Sequence, residues 1–386
     1  MKREQSETTC AMTAERVQAI LGGLKDFQRA TVDYVFNRLY LDPDPTHRFL
    51  VADEVGLGKT LVARGLIART IEHLQAKGIP RVDVVYICSN SEIARQNIAR
   101  LNVTGCKNFE LATRITLLPT VLHNLQDSPV NFVSFTPGTS FNLRSSLGTA
   151  EERALLYHLL KDVWALQGTG PMNLLQGNML KDNFRWLVKA FPAEHQIDAT
   201  LATAYAETMR GHAELHASFD ELCSRFSYAR TNIPEDDRIA RAVLIAKLRE
   251  LLTVSCLKAL EPDLIILDEF QRFKDLLKPD NPAGVLAQEL FTYADQHTAA
   301  RVVLLSATPY KMYTQVDEGE DHYRDFLDTV RFLLHDPAQA QEFAQTVARY
   351  RQALFRLGDG HLDAMRAAKG ELEGQLRRVM VRTERL

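Results

Sequence analysis

Apolar residues in this chain follow two patterns. Some fall in short, nearly unbroken runs: residues 49–52, 82–88, 130–135, 264–267 and 302–305. Each run is bounded by turn formers or charged residues and predicts a strand. The run Leu264-Ile-Ile-Leu267, with no polar position to face water, fits a fully buried strand of a parallel sheet. Elsewhere apolar residues recur at three- and four-residue spacing, over 154–164, 199–227 and 238–260. That period predicts amphipathic helices. The stretches 168–177 and 231–237 carry loop signals. Residues 321–357 read as helices with a break at Pro337. The expected fold class is therefore α/β: a mainly parallel sheet flanked by helices, with a large helical block between the strand at Val130 and the strand at Leu264, and a helical C-terminal segment.

Candidate chemistry sits where three strands end. The first strand runs into Asp53-Glu-Val-Gly56-Leu-Gly58-Lys59-Thr60, and a helix is expected from Leu61. This order suits a phosphate-cradling loop. Gly56 and Gly58 let backbone N–H groups turn inward without a Cβ in the way. Lys59 supplies a point charge for the β- and γ-phosphates, Thr60 a hydroxyl for magnesium, and the helix N-terminus its dipole. The run 264–267 delivers Asp268 and Glu269, carboxylates suited to hold magnesium and to activate water. The run 302–305 delivers Ser306 and Thr308 before Pro309. Hydroxyls at that edge can couple a γ-phosphate to movement elsewhere. Taken alone, an acid pair is as readily a solvated strand end, and Ser-Ala-Thr-Pro an ordinary loop. All three in this order are hard to assign to chance.

Composition narrows the class without choosing the chemistry. The chain has 386 residues, 46% hydrophobic and 25% charged, which is ordinary globular usage. No run approaches about eighteen apolar residues, so no membrane span or membrane partner is expected. The polar stretch 1–9 has no apolar signal core. Five scattered cysteines without a Cys-x-x-Cys pair argue for a reducing, cytoplasmic setting and against structural zinc. A net charge of −3 gives the whole molecule no nucleic-acid footprint, so any basic track must be local. The C-terminal arginines read first as a solvated helical surface. His212 and His216, spaced i, i+4, lack the accompanying Glu of a zinc helix and read as a surface pair.

These motifs together resemble the superfamily-two helicases and translocases. In the Swi/Snf-like branch the loop reads Asp-Glu-x-Gly-x-Gly-Lys-Thr, which accounts for Asp53 where a general P-loop has glycine. Asp268-Glu269-Phe270-Gln271 is similar to the family's second motif, and Ser306-Ala307-Thr308 to its third. The segment Leu24-Lys-Asp-Phe27-Gln28 resembles the one whose glutamine reads the adenine edge. The resemblance implies ATP and magnesium as cofactors. It implies that the loop Glu54, Val55, Gly56, Leu57, Gly58, Lys59, Thr60, Leu61 and Gln28 bind nucleotide, and that Thr60 and Asp268 hold magnesium. Glu269 becomes the general base, and Gln271, Ser306 and Thr308 the γ-phosphate sensors. Nucleic-acid backbone contacts are implied near Ser89, Arg95, Thr136, Gly138 and Thr139; read alone, these residues are equally a helix cap and a polar turn.

The expected organisation is a RecA-like lobe over 1–142 and 257–315, a helical insertion over 143–256, and a helical segment over 316–386 leading to an inter-lobe junction. The resemblance covers a first lobe only; nothing after Thr308 looks like the second. It favours DNA over RNA, with double-stranded DNA the expected nucleic acid, and a second RecA-like lobe from a longer protein or a partner chain. A non-motor P-loop ATPase or switch would share Lys59 and Asp268 but not need Gln28 or the Ser-Ala-Thr strand. A split lobe could also serve as an interaction module in a defence or restriction complex.

Overall fold

The computed structural model describes residues 11–54, 56–105, 109–112, 114–122, 125–141, 147–228, 232–295, 298–306, 322–355 and 362–383. Seven strands form one parallel sheet: β1 (Arg48–Val51), β2 (Val82–Cys88), β3 (Phe109–Ala112), β4 (Val130–Phe135), β5 (Leu264–Asp268), β6 (Arg301–Leu305) and β7 (Met380–Val381). Their spatial order is β3-β4-β2-β5-β6-β1-β7. The five apolar runs supply β4, β2, β5, β6 and β1, the five strands between the two edges. Two edge strands, β3 and β7, escape the pattern: β7 spans only two residues, and β3, as long as β1, is interrupted by Glu110 rather than forming an unbroken apolar run.

Alternate residues of the five inner strands enter two different cores, as a two-sided sheet requires. Phe49, Val51, Val84, Tyr86, Phe132, Ile266, Val303 and Leu305 face one. It is covered by α1 (Ala14–Gly22), α2 (Asp26–Phe36), α3 (Lys59–Ala76) and α4 (Ser91–Leu101). Leu50, Val85, Ile87, Val133, Ile265, Leu267, Val302 and Leu304 face the other. That side begins with two short helices, α5 (Leu118–Val121) and α6 (Pro137–Ser140). It continues with α7 (Ala150–Val163), α8 (Gly170–Leu175), α9 (Lys181–Glu194), α10 (Ala199–Arg210), α11 (Ala213–Arg225), α12 (Glu235–Leu260) and α13 (Pro282–Phe291). The helices between β4 and β5 thus share one continuous core with the sheet: Leu155, Phe184, Tyr205, Phe219 and Leu252 belong to the same cluster as Ile265 and Leu267.

Local signals account for most helix boundaries. Thr149 and Glu152 form a reciprocal capping box that starts α7. Glu235, Asp236 and Asp237 fill the first turn of α12, where the helix dipole favours acids. The expected helix over 199–227 is two, divided at Gly211 and His212. The expected loop over 168–177 holds α8, whose Pro171 sits in the first turn, where no N–H is needed. At the C-terminal end α14 (His322–Leu334), α15 (Pro337–Phe355) and α16 (Leu362–Arg377) pack around Phe326, Val330, Phe343, Val347 and Leu372. Pro337 opens α15, which explains the break. No described helix is long and apolar enough to cross a membrane.

Candidate nucleotide site

Val51, Leu305, Asp268 and Cys88 stand in register across β1, β6, β5 and β2. The segments leaving those strands therefore emerge along one edge of the sheet. They are the glycine loop, Ser306, Glu269 and Ser89. The carboxyl edge of a parallel sheet is where such folds place ligands. There a cavity of about 310 Å³ is lined by Gly56, Gly58, Lys59 and Thr60 on one side and Asp268 and Glu269 on another. Ser89, Ile93 and Asn97, at the start of and along α4, form a further wall.

The loop has the backbone that its glycines foretold. Gly56 and Gly58 have φ of 81° and 82°, and Gly58 caps α3. A Cβ at position 58 would lie 2.5 Å from Gln28 Nε2, so a side chain there would strain the left-handed backbone and displace the Gln28 amide from the loop. Gln28 is buried against this loop. Its Nε2 donates to the Leu57 carbonyl at 2.8 Å, and its Oε1 accepts from the Lys25 N–H at 3.0 Å. Both ends of its amide are thus engaged within the chain, where it braces the glycine loop. Leu57 is buried, Glu54 is half-buried, and Leu61 is exposed on the first turn of α3. Val55 lies outside the described residues.

Lys59 Nζ donates to the carbonyls of Asp53 and Glu54, each at 3.1 Å. Burial lowers its pKa, and the carboxylates of Asp53, Asp268 and Glu269 act in the opposite direction. Asp53 is buried and ties the loop to the C-terminal strand. Its Oδ1 accepts from the Thr383 N–H at 2.9 Å, and Oδ2 has no hydrogen-bond partner among the described residues. The backbone continues the tie: Ala52 N–H donates to Val381 at 2.8 Å and Glu54 N–H to Thr383 at 3.3 Å. Burial raises the Asp53 pKa against the pull of Thr383 and Lys59.

The two acids after β5 differ sharply in setting. Asp268 is buried and accepts from the Tyr86 hydroxyl at 2.5 Å. Burial raises its pKa, Tyr86 opposes that, Glu269 adds to it and Lys59 opposes it. Glu269 is partly exposed, ion-paired to Arg272 at 3.0 Å, and its φ is +53°. A non-glycine residue in the left-handed region costs roughly 1 kcal/mol, and such strain concentrates at functional sites. Gln271 Nε2 donates to the Ser306 hydroxyl, joining the segment after β5 to the end of β6. Ser306 is fully buried. Thr308 lies outside the described residues.

Magnesium fits this donor set. Among the described residues no group of three or more His, Cys, Asp or Glu forms a metal cage. Magnesium needs none, because it keeps waters and takes phosphate oxygens alongside one or two protein oxygens. Thr60 and Asp268 line the same cavity and are the residues that would hold it. The His212 and His216 rings are engaged elsewhere: His212 Nδ1 lies 2.8 Å from the Thr208 carbonyl, and His216 stacks on Trp164 at 4.8 Å.

The nucleic-acid candidates divide. Ser89 faces the same cavity as Lys59. Arg95 is exposed on α4, 3.4 Å from Glu92. Thr136 is buried at the end of β4, where its N–H donates to Ser140 Oγ at 3.3 Å. Gly138 is exposed in the helical turn α6, and the Thr139 side chain lies outside what the structure describes. The polar turn expected after β4 is thus a helical one.

Tyr86, Asn97 and Thr383 were not singled out from sequence. A tyrosine inside an apolar strand run gives one weak signal, since its hydroxyl must find a partner when buried. Nothing local marks Thr383. No protein-family model matches the chain, and no curated protein matches it either.

Proposed function

We propose that this chain is the ATP-binding lobe of a nucleic-acid-dependent ATPase, of the helicase or translocase type, acting on double-stranded DNA. The observation that carries this reading is the convergence of Gly56, Gly58, Lys59 and Thr60 with Asp268 and Glu269 on one cavity at the sheet's carboxyl edge. The loop amides and Lys59 hold the triphosphate. To reach it, Lys59 exchanges the Asp53 and Glu54 carbonyls for phosphate oxygens. Thr60 and Asp268 hold magnesium, which when bound neutralises phosphate charge. Glu269 accepts the proton of the attacking water. Its partial exposure leaves room for it to exchange the Arg272 ion pair for that water. The Gln271–Ser306 hydrogen bond links this site to β6, and it favours a motor over a simple P-loop switch, which has no use for that link.

The described residues form one sheet, so this reading needs a second RecA-like lobe from a longer protein or a partner chain. An arginine finger supplied in that way is worth about 10³–10⁵ in phosphoryl-transfer rate. The chain alone should bind ATP and hydrolyse it slowly. On this reading the helices between β4 and β5 are an insertion in the lobe, one that packs on a sheet face. The test is ATP turnover with and without double-stranded DNA, beside Glu269→Gln. That substitution should keep ATP binding and lower residual turnover by about 10²–10⁴-fold. Unchanged turnover in Glu269→Gln would remove Glu269 from the role of base. DNA-independent turnover at a high rate would favour a non-motor ATPase.

A further inference from the structure

Asp268 is gripped from behind by a chain of two side chains. Tyr86 lies on β2 opposite Ile266, two residues before Asp268 on β5, and its side chain faces the same core as Ile266. Its hydroxyl reaches Asp268 Oδ2 at 2.5 Å. Asn97, on α4, donates from Nδ2 to the same hydroxyl at 2.8 Å. All three residues are buried. The direction of this relay is set by chemistry. A carboxylate only accepts, and a tyrosine hydroxyl has one hydrogen. With Asn97 donating to its oxygen, Tyr86 must give that hydrogen to Asp268. The carboxylate's orientation towards the cavity is thereby fixed.

We propose that Tyr86 and Asn97 are positioning residues that set the Asp268 carboxylate for a magnesium ion bound with the ATP phosphates, and that they tie this carboxylate to helix α4. The proposal rests on the nucleotide site described above. Outer hydrogen bonds of this kind orient metal-binding carboxylates and tune metal affinity. The tie to α4 has a further consequence. One side of this helix, through Ile93 and Asn97, lines the cavity, while Arg95 and Arg100 are exposed. A movement of α4 would carry Asn97 with it and alter the hold on Asp268. Any partner that grips the exposed arginines therefore has a short route to the metal carboxylate, through two hydrogen bonds.

The experiment measures the magnesium concentration for half-maximal binding of a non-hydrolysable ATP analogue with a β,γ-imido bridge. It compares the wild-type chain with Tyr86→Phe, Asn97→Ala and Lys59→Ala. Tyr86→Phe should raise the half-saturating magnesium concentration by roughly 10- to 100-fold, with magnesium-free nucleotide affinity unchanged. Asn97→Ala should shift it in the same direction by less. A purely structural role would instead lower thermal stability and leave the magnesium dependence alone. Wild-type magnesium dependence in folded Tyr86→Phe would overturn the positioning role. A shift in Tyr86→Phe with none in Asn97→Ala would overturn the tie to α4. If Tyr86→Phe fails to fold, Asn97→Ala, which keeps the Tyr86–Asp268 bond, decides: no shift there overturns the relay. Analogue binding insensitive to Lys59→Ala would overturn the nucleotide site itself, a different result from either.

Discussion

Two buried carboxylates, Glu152 in the helical layer and Asp268 at the sheet edge, meet burial in opposite ways. Glu152 accepts from the Thr149 N–H at 2.6 Å, from Arg249 at 2.9 and 3.1 Å, and from the Thr116 hydroxyl. Burial alone would raise its pKa, but Arg249, Thr116 and Thr149 together hold it below the ordinary value. Asp268 has burial as its largest influence too, and there the tyrosine and Lys59 do not reverse it. The first acid is saturated by partners from its own chain. The second keeps an electrostatic deficit and lines a cavity. Under the proposed function, this is the carboxylate that would hold magnesium beside the glycine loop and Lys59. The difference between the two regions separates a charge compensated within the fold from one that faces a cavity.

The comparison can be broken most forcefully at Glu152. Glu152→Ala removes the carboxylate that ion-pairs with Arg249 at 2.9 Å, a guanidinium whose side chain is only about 1% exposed. Breaking one partner of a buried pair costs about 3–5 kcal/mol, so urea unfolding should register a loss of that order. Asp268→Ala should not match it, because the Asp268 charge is incompletely compensated in the folded state. Equal losses at both sites would erase the distinction.

A third acid gives a pH signature. At the opposite end of β5's strand pair, Asp263 accepts from the Asp83 N–H at 2.9 Å. Burial raises its pKa from 3.8 to about 6, against opposing hydrogen bonds. The folded state then holds this proton more tightly than the unfolded chain between those values. Stability contributed by Asp263 is greatest below pH 4 and falls as pH rises to 6, by on the order of 3 kcal/mol. Glu152, with its depressed pKa, has the opposite sign, contributing stability that is lost on acidification. Asp263→Asn should flatten the decline between pH 4 and 6 in a pH series of unfolding free energies. An unchanged slope would show that Asp263 does not titrate there.

The smallest expected effect sharpens the functional half of the contrast. Glu269 sits at φ +53°, so Glu269→Gly should relieve backbone strain and stabilise the fold by up to about 1 kcal/mol. The same variant should lose hydrolysis. Destabilisation instead would mean that the Glu269 side chain supports the fold through Arg272.

The sequence made the central strands and the glycine loop legible for a physical reason. Strands buried on both faces leave continuous apolar runs, and a left-handed turn leaves glycines. Asp268 and Glu269 were legible because they end such a run. The site's supports were less so. The Tyr86–Asp268 contact joins residues 182 positions apart and the Asp53–Thr383 contact 330 apart. Neither has a local period to announce it. Gln28 was singled out for the nucleotide base, and the structure seats its amide on the Leu57 carbonyl, a contact that only the folded loop creates. The split at Gly211 was missed because helical periodicity continues on both sides of the break.

The most direct measurement is isothermal titration of ATP with magnesium into the chain and into Lys59→Ala. The account predicts saturable binding that Lys59→Ala weakens by roughly 10- to 100-fold, the loss of a charged hydrogen bond to phosphate. Equal affinity in the two proteins, or no binding by the wild-type chain, would contradict it.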